Sequence, residues 1–337
     1  MEQRNGGAAD EAFKPVEAGV PLAELEEINR FRILKQPGMR AFQRLMLWGI
    51  PLFSLVFNFE IPSRLGSPML QEQYLGLILI LVLGSVFLSV PANSSAPKDS
   101  APWYDLLLLL LSFVAGGYLA IFYPRILNEI GELTPEKIAL GALALFLVME
   151  ACRRMSGWWL VLFVAIFVFY ARFAYWFPGI LHARGISWSK MAVHLYIDPS
   201  SLLGTPLSIA ATTVVAFILF GQVLYATGGG QFFTDLSMIV MGRFRGGAAK
   251  IAVLGSALFG MISGSPVANV MVEGSITIPM MIRSGYRRHV AGAIESVAAN
   301  GGQMMPPVMG AAAFVMAEFL GLPYAQVAIA AFIPAFL

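Results

Sequence analysis

The chain has 337 residues, of which 58% are hydrophobic and 12% charged, and its mean hydropathy is +0.72. That is far above soluble averages, so a polytopic all-α membrane protein set in a lipid bilayer is expected. The formal net charge is +2, with basic residues spread over several loops rather than clustered on one face, which excludes a nucleic-acid partner; Cys152 is the one cysteine, which excludes intrachain disulfides.

Residues 1–40 form a polar tail of mixed charge, with no short apolar core followed by a small-residue cleavage site, so no cleaved signal peptide is expected. Leu22 to Leu34 reads either as a short amphipathic helix on the membrane surface or as a disordered stretch. Apolar runs able to cross a bilayer of about 30 Å are centred on Leu45 to Phe59, Tyr74 to Val90, Trp103 to Tyr123, Ile138 to Ala151, Trp158 to Phe177 and Leu207 to Ala226. Arg30, Arg32, Lys35, Arg40 and Arg44 put the N-terminus in the cytoplasm by the positive-inside rule, and Arg153-Arg154 agree with that orientation. The loop from Pro178 to Pro206 then lies outside, carrying His182, Arg184, Lys190, His194 and Asp198 as a surface for a periplasmic partner. From Gln231 to Phe244 apolar residues recur at helical spacing, which predicts a helix along the cytoplasmic face, either an arm gripping a moving element or a simple linker.

Two apolar segments follow, each broken in its middle. In the first, Ser263-Gly264-Ser265-Pro266 stops one helix and starts another, with Ser263 or Ser265 as cap and Pro266 at the first helical position. In the second, Gly301 or Gly302 is expected to take the left-handed conformation that ends a helix, and Pro306-Pro307 to open the next. Irregular backbone survives at membrane depth only where protein or a water-filled cavity covers it, and paired interruptions point to a transporter site. Arg243, Arg245 and Lys250 precede the first break, and Arg283, Arg287 and Arg288 follow it, so both flanks read as cytoplasmic. Ile251 to Ile282 is therefore drawn as a re-entrant hairpin; two short full crossings with an external turn would give the same parity.

The chemistry at the breaks suits ions and anions. C-terminal half-helix carbonyls near Ser263 and near Asn300 to Gly302 suit Na⁺, while half-helix N-termini at Pro266 and Pro306 offer N–H groups to a carboxylate. Asn269, Asn300 and Gln303 add side-chain oxygens and donors, and Ser263 and Ser265 are either hydroxyl ligands or simple caps. Glu273 and Glu295 are intramembrane acids that could bind a cation or carry a proton; neither lies at a break, so a supporting role is the reading adopted. A serine hydrolase is disfavoured because His182, His194 and His289 fall in loops or interfaces, and a nucleotide-driven pump because no phosphate-binding Gly-Lys-Ser or Gly-Lys-Thr loop occurs. An ion channel with a re-entrant pore hairpin and a proton-coupled carrier of the same architecture remain as alternatives.

Gly246-Gly247, the run Met261 to Val270, Ile278-Pro279, Gly285-Tyr286 and above all the run Glu295 to Phe314 carry a resemblance to the large membrane subunit of tripartite ATP-independent periplasmic (TRAP) transporters, most like fused permeases paired with TAXI-type binding proteins. The resemblance covers about Gly157 to Leu337, while residues 41–151 look like the small four-helix subunit fused in front. It implies an inner-membrane elevator transporter of seven or more transmembrane helices plus the hairpin and broken helix, with 152–337 as the first half of the transport domain. It also implies sodium as coupling ion, held at Ser263, Ser265, Asn300 and Gly302, and no other cofactor. A carboxylate of C4-dicarboxylate kind would be delivered by a periplasmic TAXI-type solute-binding protein, the ion and the substrate together being bound at Ser263, Gly264, Ser265, Pro266, Asn269, Asn300, Gly301, Gly302, Gln303 and Pro306. An apolar run from Ala325 stops at Leu337 before any second inverted repeat, so a fragment holding half of the transport site is expected.

Overall fold

The computed structural model describes residues 31–336 apart from Ile33, Ser94, Ser95 and Ile130. The surface helix considered for Leu22 to Leu34 thus falls mostly outside the described residues; Arg32 and Leu34, which are described, are non-helical and buried.

All elements among the described residues are helices. The first four long ones, α1 (Pro37–Asn58), α2 (Gln71–Ser89), α3 (Trp103–Asn128) and α4 (Pro135–Ser156), pack into one bundle, with a single helical turn, Ile61–Arg64, between α1 and α2. Proline in the first turn of α1 and α4 starts them, since an N–H there has no helical partner to lose. α2 is apolar on every side and is accordingly buried on every side, its Tyr74, Leu75, Ile78 and Phe87 meeting Leu119 of α3 and Leu147 of α4. Gly76 and Gly116 let α2 and α3 touch backbone to backbone: a Cβ on Gly116 would stand 2.7 Å from the Gly76 carbonyl oxygen. A buried ion cluster closes one end. Asp105, in the first turn of α3, takes Arg32 at 2.9 Å and Arg154 of α4 at 2.8 Å, and Arg154 also holds Glu150 at 2.7 Å.

Beyond the bundle, α5 (Trp158–Phe173) buries none of its residues, which for sixteen largely aromatic and aliphatic side chains suits hydrocarbon rather than water. After α6 (Trp188–Ile197), whose Tyr196 joins the bundle core, comes α7, built of Thr205–Ile209, a π-turn Ala210–Val214 and Val215–Ala226. The helix expected near Gln231 to Phe244 is α8 (Gly229–Met241). Then follow α9 (Gly247–Ser263), α10 (Pro266–Val272), α11 (Gly274–Arg283), α12 (Arg288–Gly302), α13 (Ala311–Leu320) and α14 (Tyr324–Phe336).

Of these, four are long and apolar enough to cross a membrane: Gln71–Ser89, Trp103–Asn128, Trp158–Trp176 and Thr205–Leu224. Seven or more crossings were expected, and length and composition by themselves mark four among the described residues. α1 and α4 have the length, at 22 residues each, but α1 opens with Arg40 and Arg44 and α4 is flanked by Glu136 and Lys137 at one end and Glu150, Arg153 and Arg154 at the other. The remaining apolar helices, α9, α13 and α14, have 10–17 residues.

Candidate functional site

The hairpin tip follows the expected capping chemistry. α9 ends because Gly264 adopts φ +59°, the left-handed conformation that closes a helix. Ser265 then caps α10, its Oγ accepting from the Ala268 N–H at 3.3 Å, and Pro266 takes the first helical position. Only Glu273 separates α10 from α11, and it keeps right-handed helical dihedrals, so the second arm runs on as one rod from Pro266 to Arg283.

The second break differs from expectation. α12 runs through Gly301 and Gly302 without a left-handed residue, and the next helix opens at Ala311, not at Pro306. Pro306 and Pro307, joined by a cis peptide bond, lie inside a turn over residues 303–310 in which Met309 takes φ +60°. The reason is packing. A Cβ on Gly302 would stand 2.4 Å from the Ser256 carbonyl oxygen, and one on Gly260 would stand 2.6 Å from the backbone of Gly302. Gly302 therefore serves the close crossing of α9 and α12 rather than a helix stop.

The two breaks meet. A Cβ on Gly264 would lie 2.3 Å from the Met309 carbonyl oxygen. The Val308 N–H donates to Met261 O at 3.2 Å, and the Gly310 N–H donates to Gln303 O at 2.7 Å. Around this junction opens a cleft of about 800 Å³, bounded by Ser263 to Pro266, by Gln303 and the turn, by Ala311 to Ala313 at the start of α13, and by Val214, Phe217 and Ile218 of α7. Phe217 and Phe314 of its lining stack at 5.0 Å between centroids, and behind them Phe314 stacks on Tyr324 at 4.3 Å.

Of the residues singled out by sequence, Ser263, Gly264, Ser265, Pro266 and Gln303 line this cleft. Ser263 Oγ is buried and has no hydrogen-bond partner among the described residues. Asn269 sits behind the tip, fully buried, with Nδ2 donating to Ser256 O at 2.8 Å and Oδ1 left without a partner among the described residues. Asn300 is exposed and turns back onto its own helix, Nδ2 donating to Ser296 O at 2.8 Å, while Gly301, Gly302 and Pro306 are absent from the cleft lining. Residues that sequence reading missed are Phe217, Phe314 and Tyr324, whose meeting depends on three helices and leaves no local signal, and Met309, a non-glycine residue held at positive φ.

Glu273 and Glu295 form a second layer, both fully buried. Thr234 Oγ1 of α8 lies 3.1 Å from Glu273 Oε1; Ser256 Oγ donates to Glu295 Oε1 at 2.9 Å and Thr277 Oγ1 to Glu295 Oε2 at 2.5 Å. No basic side chain among the described residues pairs with either acid. Among the described residues, hydroxyls therefore solvate two carboxyl groups placed where α8, α9, α11 and α12 meet.

Chemically, the cleft gathers the C-terminal ends of α9 and α12, which present partial negative charge, and the N-terminal ends of α10 and α13, which present N–H groups. Such a junction can hold a cation and an anion side by side.

Residues 143–337 match the family described as "Tripartite ATP-independent periplasmic transporter, DctM component". The chain is 37% identical over 91 residues to the C4-dicarboxylate TRAP transporter large permease protein DctM of Pseudomonas aeruginosa, a stretch covering 27% of this chain and 21% of that protein. It is 37% identical over 92 residues to the isethionate TRAP transporter permease protein DctMQ of Oleidesulfovibrio alaskensis, covering 27% of this chain and 14% of that protein. With the 2,3-diketo-L-gulonate TRAP transporter large permease protein YiaN of Escherichia coli it shares 29% over 120 residues, 35% of this chain and 25% of that protein. The matched stretch thus spans about a quarter or less of the length of these curated relatives. No solved structure matches the chain. With more than half of its residues covered by the family match, the chain belongs to the DctM component family of tripartite ATP-independent periplasmic transporters.

Proposed function

We propose that this chain is part of the membrane permease of a sodium-coupled secondary transporter that imports organic acids handed over by a periplasmic TAXI-type solute-binding protein. The carboxylates are of the C4-dicarboxylate kind named for several relatives. In this reading the protein spans the inner membrane of a prokaryotic cell with its N-terminus in the cytoplasm, residues 41–151 are a fused small-subunit-like domain, and 152–337 are the first repeat of an elevator-type transport domain. The family match begins at residue 143, inside α4.

The observation that carries the reading is the convergence of two interrupted helical segments on one cleft lined in part by Ser263, whose Oγ is buried and has no hydrogen-bond partner among the described residues. Ser263 and Ser265 are the proposed sodium contacts; Gln303 and the N–H groups opening α10 and α13 are the proposed carboxylate contacts. Asn300 and Gly302, the other sodium contacts implied by the resemblance, are the discriminating positions, because the cleft is not lined by either. The α9–α11 hairpin is re-entrant in this reading: α9 has 17 residues, about 25 Å of helix, short of a bilayer's apolar thickness.

The test is uptake of radiolabelled organic acids into proteoliposomes holding the intact permease, with its binding protein outside, with and without an inward sodium gradient. Sodium-dependent, saturable uptake that needs the binding protein is the expected result. Ohmic current without saturation would replace the carrier with a channel. A second reading, proton coupling, is favoured by the buried Glu273–Glu295 layer, whose carboxyl groups accept from Thr234, Ser256 and Thr277 hydroxyls; uptake indifferent to sodium, and abolished by Glu273→Gln, would establish it instead.

A further inference from the structure

α7 reads as one helix by length, but its middle, Ala210–Val214, is wound as a π-turn in which the Val215 N–H is shared between the Ala210 carbonyl five residues back and the Thr212 carbonyl three back. A π-turn inserts an extra residue and weakens the backbone ladder around it. In apolar surroundings the carbonyls involved need donors from elsewhere.

Here the donors come from the N-terminal bundle. The Tyr74 hydroxyl of α2 donates to Ala211 O at 2.7 Å. Ser54 Oγ and Asn58 Nδ2 of α1 both donate to Thr212 O, at 3.3 and 3.2 Å. Tyr74 is held in turn by face-to-face stacking on Phe57, with centroids 4.1 Å apart. Just past the π-turn, Phe217 and Ile218 form a wall of the cleft, and Phe217 stacks on Phe314.

The phase of α7 across the turn decides what that wall presents. Were the π-turn to relax to α-helix by expelling one residue, one end of α7 would rotate by about 100° relative to the other. Phe217 would then leave the cleft wall or the bundle would lose its grip. We propose that Ser54, Asn58 and Tyr74 are positioning residues for the solute site: by fixing the π-turn they set the α7 wall of the cleft, so the N-terminal bundle shapes solute binding without touching solute. The proposal rests on the cleft being the solute site.

The experiment uses the intact permease with Cys152→Ser as background. Phe217→Cys and Phe314→Cys are introduced together, and their oxidative cross-linking is followed with and without Tyr74→Phe or Asn58→Leu. Uptake of radiolabelled succinate, or of whichever carboxylate the intact permease imports best, is measured as a function of concentration for Tyr74→Phe and Asn58→Leu without the cysteine pair. The expected result is slower cross-linking and a severalfold higher KM at an unchanged melting temperature. Unchanged cross-linking, or a fall in maximal rate alone in proportion to the loss of folded protein, would overturn the proposal by showing a merely structural role. Where Asn58→Leu does not fold, Tyr74→Phe, which removes a single oxygen atom, decides. Ser265→Ala and Phe314→Ala run alongside: if both leave uptake unaltered, the cleft reading fails and the proposal with it, whereas an effect of these two without any effect of Tyr74→Phe sinks the proposal alone.

Discussion

Ser263 and Ser265 stand two residues apart at the hairpin tip and do different work. Ser265 caps α10, so Ser265→Ala should lower the melting temperature of the detergent-purified permease, consistent with about 0.5–2 kcal/mol for a lost cap. Ser263 Oγ bonds to nothing among the described residues, so Ser263→Ala should leave stability near that of the parent while raising the sodium concentration for half-maximal uptake. Both serines are proposed sodium contacts, so the division is one of stability, and an equal loss of melting temperature in the two variants would contradict it. Capping was legible in the sequence because it is set by neighbours in the chain; the orphaned hydroxyl was not, because its lack of a partner is a property of the packed interior. Glycine shows the same limit. Gly260 and Gly302 exist for the contact between α9 and α12, and Gly302→Ala should destabilise by ~1–3 kcal/mol through overpacking against the Ser256 carbonyl, read as a lowered melting temperature.

At the level of elements, polar side chains buried between helices hold the fold in register. Arg32 lies ahead of α1 yet is buried against Asp105 of α3, and it also donates from Nε to Pro97 O at 3.0 Å. Arg32→Ala leaves Asp105 still paired with Arg154, so the loss should fall below the about 3–5 kcal/mol of a buried charge left without a partner; thermal unfolding should still shift down, and Arg32→Lys should recover only part of the loss. In the segment that includes α6, Asp198 accepts from the Ser200 N–H at 2.8 Å and from its hydroxyl, and pairs with His194 at 3.2 Å. The Ser200 bonds hold the Asp198 carboxyl below the usual carboxylate range. Because the folded value is depressed, the contribution is present above the ordinary aspartate range and is lost as pH falls through the lowered value. Amide exchange at Ser200, corrected for its intrinsic pH dependence, should therefore rise on acidification, and Asp198→Asn should abolish that response.

For the molecule as a whole, membrane residence, the positions of the helices and the place of the first break were readable from the chain, because hydropathy, proline at helix starts and capping residues act over a few positions. α8 appeared where the apolar spacing put it, and the hairpin turned at Gly264 as its chemistry required. The second break was misread in detail: Gly301-Gly302 followed by Pro306-Pro307 is locally compatible with a stop and a start, but the crossing of α9 over α12 needed the glycine for clearance and pushed the next helix on to Ala311. Tertiary structure alone decided which groups share a site. It set Glu273 and Glu295, 22 positions apart, in one hydroxyl-lined layer, sent Asn269 inward and Asn300 outward, and made the N-terminal bundle the support of a π-turn beside the cleft. The physical reason is that side-chain direction on a helix follows from its rotational phase and from what crosses it, and a linear pattern of residues carries the first only approximately and the second not at all.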